Sequence, residues 1–327
     1  MLVDQYGRSH TYLRISVTDR CNLRCTYCMP ADGINLRAKD AILTFDEIVQ
    51  ISEMLVEFGI RKIRITGGEP LVRKEVENLC GRLAQIRRLQ TLALSTNGAN
   101  LSDKAAALRR AGVSHVNVSL DTLRPERFQS ITRRDRFSDV MRGIEAAVSE
   151  EFTSLKINTV VIRGFNDDEI LDFVRLAVSL DVNARFIEYM PFPGNDWRKE
   201  RYVPSNEIRS IIETKYSLEA KQQEESVHGP AADFRVIGTN ATIGFISTMS
   251  APFCYGCNRL RLSSDGRLRV CLFAQEGIDL KTPLRNGASA QELQALILGA
   301  LADKWEKHPG EEELEKKTHG HMIGIGG

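Results

Sequence analysis

Between Leu13 and Met190 short apolar runs alternate with helical patterns, and this alternation restricts the fold more than any other feature of the chain. The strand candidates are 13–17, 62–66, 91–95, 115–119, 156–162 and 184–189. They are short and rich in Val, Ile and Leu, as strands buried in a parallel sheet are. Helical patterns separate them. Residues 45–58 put Ile48, Ile51, Leu55 and Phe58 on one face, and Thr44 with Glu47 forms a capping-box pattern at the start. A second helix is expected over 167–180, opened by Asn166-Asp167-Asp168, and Pro125 suits a first helical turn. Repeated strand–helix–strand units give right-handed crossovers and a parallel sheet. Eight such units close a barrel in roughly 250 residues. This chain supplies six in its first two-thirds, so the expectation is an α/β fold built as an incomplete TIM-like (β/α)6 barrel.

After Tyr202 the pattern changes. Residues 222–232 are polar and hold a His228-Gly229-Pro230 turn, which places a domain boundary nearby, between units 1–215 and 216–327. The second unit reads as a smaller α+β domain, with short strands around 234–237 and 241–247 and a helix over 290–305. A charged tail over 311–317 precedes the final Gly324-Ile325-Gly326-Gly327. Hydrophobic residues make up 42% of the chain, enough for a sizeable core. The net charge of +1 leaves no electrostatic footprint for nucleic acid. No apolar stretch reaches membrane-spanning length, and the N-terminus lacks a basic-then-apolar leader, so the expected location is cytoplasmic.

Six of the seven cysteines fall into two groups of three. Cys21, Cys25 and Cys28 follow the first strand as C-x3-C-x2-C, at the strand end where barrel active sites are built. Thiolates are the usual ligands of iron–sulfur clusters. Three of them leave one iron of a four-iron cluster open, and an open position marks a catalytic metal site. A zinc site completed by a distant residue is the alternative. Cys254, Cys257 and Cys271 read C-x2-C-x13-C, with a zinc ribbon that hides a ligand as the alternative. Arg259 and Arg261 alternate between these cysteines, so both face one side of an extended strand. Two guanidinium forks there suit an anionic substrate; a solvated charged strand is the plainer reading. Gly67-Gly68-Glu69-Pro70 ends the second strand, where glycines permit close approach of a ligand and Glu69 can accept from a cationic amine. A simple turn would explain the same residues. Ser95 and Ser119 place hydroxyls on the same rim, and Met190 follows the sixth strand. Cys80, alone on a helical pattern, reads as a small buried hydrophobe.

The first cysteine group, with Tyr27 before its last member, resembles the radical S-adenosylmethionine (SAM) superfamily. Taken with the stretches 12–22, 62–70, 116–121, 185–188 and 257–266, the chain is similar nearly end to end to the GTP 3′,8-cyclase family of that superfamily. The resemblance implies two [4Fe-4S] clusters, on Cys21, Cys25 and Cys28 and on Cys254, Cys257 and Cys271, with SAM on the first and the guanine base at the second. It implies SAM contacts from Tyr27, Gly68, Glu69, Ser119 and Met190. It implies GTP contacts from Arg14, Arg64, Ser95, Lys156, Arg259, Leu260 and Arg261, with Arg185 beside them. The implied reaction takes hydrogen from the ribose C3′ of GTP and joins C3′ to guanine C8, opening molybdenum cofactor biosynthesis. Gly326-Gly327 would reach into the active site. Implied partners are a flavodoxin or ferredoxin reductant and a downstream cyclic pyranopterin monophosphate synthase, and the family allows a homodimer. Ser95 stands where the family more often has threonine, which keeps the hydroxyl. The rivals are another radical SAM enzyme acting on RNA or peptide, and a zinc-bound binding module.

Overall fold

The computed structural model describes the chain except residues 31, 193–194, 196, 222–228, 275, 312, 315–321 and 326–327, and the side chains of 324 and 325. The expectations for most of the polar segment, most of the charged tail and Gly326-Gly327 lie outside the described residues. Among the described residues no helix is long and apolar enough to cross a membrane.

Among the described residues twelve strands form one sheet: β1 (Tyr12–Ser16), β2 (Lys62–Thr66), β3 (Thr91–Thr96), β4 (His115–Ser119), β5 (Ser154–Val161), β6 (Asn183–Glu188), β7 (Leu218–Ala220), β8 (Ala232–Val236), β9 (Thr242–Ile246), β10 (Arg259–Leu262), β11 (Arg267–Arg269) and β12 (Ile278–Asp279). Their spatial order is β12-β11-β10-β1-β2-β3-β4-β5-β6-β9-β8-β7. Every pairing from β10 across to β9 is parallel. Antiparallel strands extend both edges. The parallel part is wider than the six strands expected, because β9 and β10 dock beside β6 and β1. The C-terminal strands therefore extend the N-terminal sheet.

Phenylalanines on one face of the sheet fix that extension. Phe173, from helix Ile170–Leu180, meets Phe186 of β6 edge-on at 6.4 Å; Phe186 stacks on Phe245 of β9 at 6.3 Å; Phe245 meets Phe234 of β8 at 5.6 Å. Each such pair adds about 0.5–1.5 kcal/mol beyond the area it buries.

The capping box forms as expected on helix Phe45–Glu57: Thr44 Oγ1 accepts from the Glu47 amide, and the Glu47 carboxylate accepts from the Thr44 amide. Pro125 opens helix Pro125–Thr132. The helix expected over 167–180 begins instead with a 3-10 turn, Asp167–Glu169. There the buried Glu169 carboxylate is held by Thr122 Oγ1, the Leu123 amide and Arg127. Cys80 is fully buried, as expected.

Candidate active site

Alternate side chains of the parallel strands point into one cavity of about 870 Å³. Both cysteine groups line it: Cys21, Cys25 and Cys28, and Cys254, Cys257 and Cys271. So do Tyr27, Gly68, Glu69, Ser119 and Met190, and so do Arg14, Arg64, Ser95, Lys156, Arg185, Arg259 and Arg261. Leu260 does not. It is fully buried in the hydrophobic core between two cavity-facing arginines. Strand alternation turns its side chain to the opposite face, so only its backbone lies beside the cavity-facing arginines.

The first cysteine loop is pinned to the ends of β2 and β3. The Gly68 amide donates to Thr18 O at 2.7 Å and the Glu69 amide to Arg20 O at 2.8 Å. A Cβ on Gly68 would lie 2.4 Å from Arg20 O. The glycine is thus required by the cysteine loop itself, where the sequence suggested a ligand. The Glu69 carboxylate accepts from Thr96 Oγ1 at 2.7 Å, the Asn97 amide at 2.6 Å and the Leu71 amide at 3.0 Å. Burial pushes its carboxyl up to about 7 against those three bonds. Asn97 Nδ2 donates to Asn22 Oδ1 at 2.8 Å and approaches Cys21 Sγ at 3.8 Å. Burial raises the Cys21 thiol to about 11 and the Cys28 thiol to about 12. Bare thiolates are disfavoured in such a place, and only a strongly cationic partner would hold them deprotonated.

The second group sits in a different field. Burial would raise the Cys257 thiol, but Arg259 and Lys304 bring it down to about 7. Arg259 approaches Cys257 Sγ at 3.7 Å and stacks over Phe253 at 4.6 Å. The N-terminal segment braces this region: Arg8, paired with Asp4 at 2.7 Å, donates to the carbonyls of Cys254, Trp305 and Glu306.

The cavity is strongly cationic. Arg14, Lys62, Arg64, Lys156, Arg185, Arg259 and Arg261 line it, against the carboxylates of Glu69 and Asp233 among the described residues. Arg185 is neutralised by Asp233 at 2.9 Å, a pair for which Gly244 leaves room, since a Cβ there would meet Asp233 Oδ1 at 2.4 Å. Burial, then Arg185, Arg64 and Lys62, lower Lys156 to about 7. Burial would raise Tyr12, yet Arg64, Arg14 and Lys62 bring it down to about 7. A cavity that drives a lysine toward neutrality and a phenol toward phenolate is built for a polyanion.

Sequence reasoning missed Asn117 and Asn158, which line the cavity with buried Oδ1 atoms that find no hydrogen-bond partner among the described residues. Their signal was an asparagine inside an apolar strand, where it is disfavoured. It also missed Lys62, which alternates with Arg64 on one face of β2. Lys304 carries no local sequence signal at all. The C-terminal segment enters the cavity as well: Met322 and Ile323 line it, and the Ile323 amide donates to the Cys28 thiol. Among the described residues no three of His, Cys, Asp or Glu surround a single-ion position. The cysteine spacing and the convergence of both groups on one cavity suit a multi-iron cluster instead.

Residues 15–177 match the profile of the Radical SAM superfamily, and residues 182–309 match that of Molybdenum Cofactor Synthesis C. A protein from Moorella thermoacetica named GTP 3′,8-cyclase is 47% identical over 95% of this chain and 95% of its own length. Molybdenum cofactor biosynthesis protein 1 of Dictyostelium discoideum is 44% identical over 100% of this chain, which spans about half (52%) of that protein. Among solved structures, Streptococcus suis SuiB superposes with a TM-score of 0.62 at 13% identity, covering 95% of this chain and 69% of that one.

Proposed function

The chain belongs to the GTP 3′,8-cyclase family of radical SAM enzymes, and we infer that this cavity holds SAM at one cysteine group and GTP at the other. The observation that carries this reading is the convergence of both cysteine groups and a cation cluster on one cavity.

Cys21, Cys25 and Cys28 would hold a [4Fe-4S] cluster with one iron open to SAM. The chemistry supplied there is abstraction of a hydrogen atom from substrate. Cys254, Cys257 and Cys271 would hold a second cluster facing the guanine base. Arg14, Lys62, Arg64, Lys156, Arg259 and Arg261 supply the charge for a triphosphate. Ser95, Asn117 and Asn158 offer hydrogen-bonding groups beside it, and Tyr27, Gly68, Glu69, Ser119 and Met190 shape the SAM side. The substrate is thereby stretched between two fixed ends, with its ribose C3′ presented to the first group and C8 held within reach of C3′. The product is (8S)-3′,8-cyclo-7,8-dihydroguanosine 5′-triphosphate, the first intermediate of molybdenum cofactor biosynthesis.

In this reading residues 1–215 form an incomplete (β/α)6 barrel for radical chemistry, and 216–327 bring the second cluster. Met322 and Ile323 bring the C-terminal segment to the cavity, and Gly326-Gly327 lie outside the described residues. A flavodoxin or ferredoxin supplies electrons in the cytoplasm, and the product passes to cyclic pyranopterin monophosphate synthase. Anaerobic incubation of reconstituted protein with SAM, a reductant and GTP tests the function. 5′-Deoxyadenosine formed together with the cyclised nucleotide is the expected result. SAM cleavage that leaves GTP intact at every concentration would redirect the cavity to another substrate.

A further inference from the structure

Lys304 lies just past helix Ala290–Ala302 and is 3% exposed. It does not line the cavity. Its ammonium points at Cys257 Sγ, 3.5 Å away, and among the described residues that sulfur is the one hydrogen-bond partner of its side chain. A buried cation without a counter-charge is costly. Yet the fold holds this one firmly. Gln5 Nε2 donates to Lys304 O at 3.1 Å. Arg8 donates to Trp305 O and Glu306 O on one side and to Cys254 O on the other. One guanidinium thus ties the segment bearing Lys304 to the segment bearing the second cysteine group. Arg8 has its own counter-charge in Asp4 at 2.7 Å.

The partner that would balance Lys304 is an anionic assembly at Cys257. Three thiolates outweigh the charge of an oxidised four-iron core, and one further electron makes the whole more negative. A cation fixed beside it and shielded from water stabilises the reduced form over the oxidised one. Hydrogen bonds to ligand sulfur are a recognised lever on cluster potential. We propose that Lys304 is a positioning residue which, through Cys257, supplies the fixed counter-charge of the second cluster and raises its reduction potential. This rests on the reading that Cys254, Cys257 and Cys271 hold a cluster.

The full chain with Cys21, Cys25 and Cys28 replaced by serine, reconstituted anaerobically, isolates the second centre. Iron and sulfide are measured, and a potentiometric titration is followed by electron paramagnetic resonance, in this parent and with K304M or K304R added. K304M is expected to keep its iron and to titrate lower, by about tenfold in the reduced-to-oxidised ratio or about 59 mV for one electron. K304R, which keeps the charge, is expected within about threefold of the parent. K304M titrating with the parent overturns the proposal, as does K304R shifted as far as K304M. If K304M loses its iron, retention by K304R supports the fixed charge and loss by K304R overturns it. A parent that takes up zinc alone or no metal defeats the two-cluster reading first, and the role of Lys304 with it.

Discussion

The Tyr27 hydroxyl donates a 2.6 Å hydrogen bond to Asp121 Oδ2, joining the first cysteine loop to the end of β4. The other Asp121 oxygen accepts from the Val160 amide at 2.9 Å, and Asn166 Nδ2 donates to the Asp121 carbonyl at 2.6 Å. A ring expected to contact SAM is therefore oriented by the ends of β4 and β5. Burial pushes the Asp121 carboxyl up to about 6.

Tyr27→Phe removes this bond and leaves a buried carboxyl oxygen without its donor. The expected cost is about 1–3 kcal/mol. It should appear as a several-fold or greater loss of SAM affinity with GTP affinity little changed. Equilibrium binding that gives wild-type SAM affinity would detach Asp121 from the SAM side of the cavity.

Metal analysis separates the cysteine groups. The reconstituted chain should carry about eight irons, and replacing Cys254, Cys257 and Cys271 together should leave about four. Cys25→Ser should abolish 5′-deoxyadenosine formation. Cys257→Ser should keep some uncoupled SAM cleavage and lose the cyclised nucleotide, and normal GTP conversion in that variant would remove the second group from the reaction.

GTP binding should take up protons. Lys156 and Tyr12 both stand near 7 in the free cavity. A bound triphosphate favours protonated Lys156 and neutral Tyr12, so both shift upward on binding. Affinity is then greatest below about pH 7 and falls as pH rises toward about 9. Calorimetry in buffers of different ionisation heat reads the sign directly; proton release on binding would contradict it.

Arg261→Ala should weaken GTP binding by roughly 1.5–3 kcal/mol, on the order of tenfold to a hundredfold, since a charge-assisted contact is lost. SAM binding should be nearly unchanged. A variant that binds both ligands as the wild type does would move the triphosphate away from β10.

Phe245→Ala breaks the aromatic ladder between β6 and β8. The expected loss is about 3–5 kcal/mol of stability, measured by denaturant titration of the cluster-free chain. A loss below about 1 kcal/mol would mean that the ladder does not hold the C-terminal strands.

β2 and β4 were legible to the residue, because Ile63 and Ile65, and Val116 and Val118, recur at every second position. Strand neighbours were not: alternation within 242–246 and 259–262 says which side chains share a face, but not that these strands flank β6 and β1. The same period put Arg259 and Arg261 on one face, and it puts the Leu260 side chain on the other. The cysteines were readable from spacing alone. Their supports were not, since Asp121, Asn97 and Lys304 act across long sequence separations that no local pattern encodes.

The pairing of β1 with β10 has a consequence for the chain's birth. Thr11 Oγ1 meets Asn258 Nδ2 at 3.1 Å across 247 positions of sequence. During synthesis β1 therefore emerges long before its neighbour exists, and one edge of the nascent sheet waits unpaired. Closing so large a loop is slow, and an open edge of that kind invites pairing with other chains. The β1 edge thus stays exposed until the segment bearing β10 has been made.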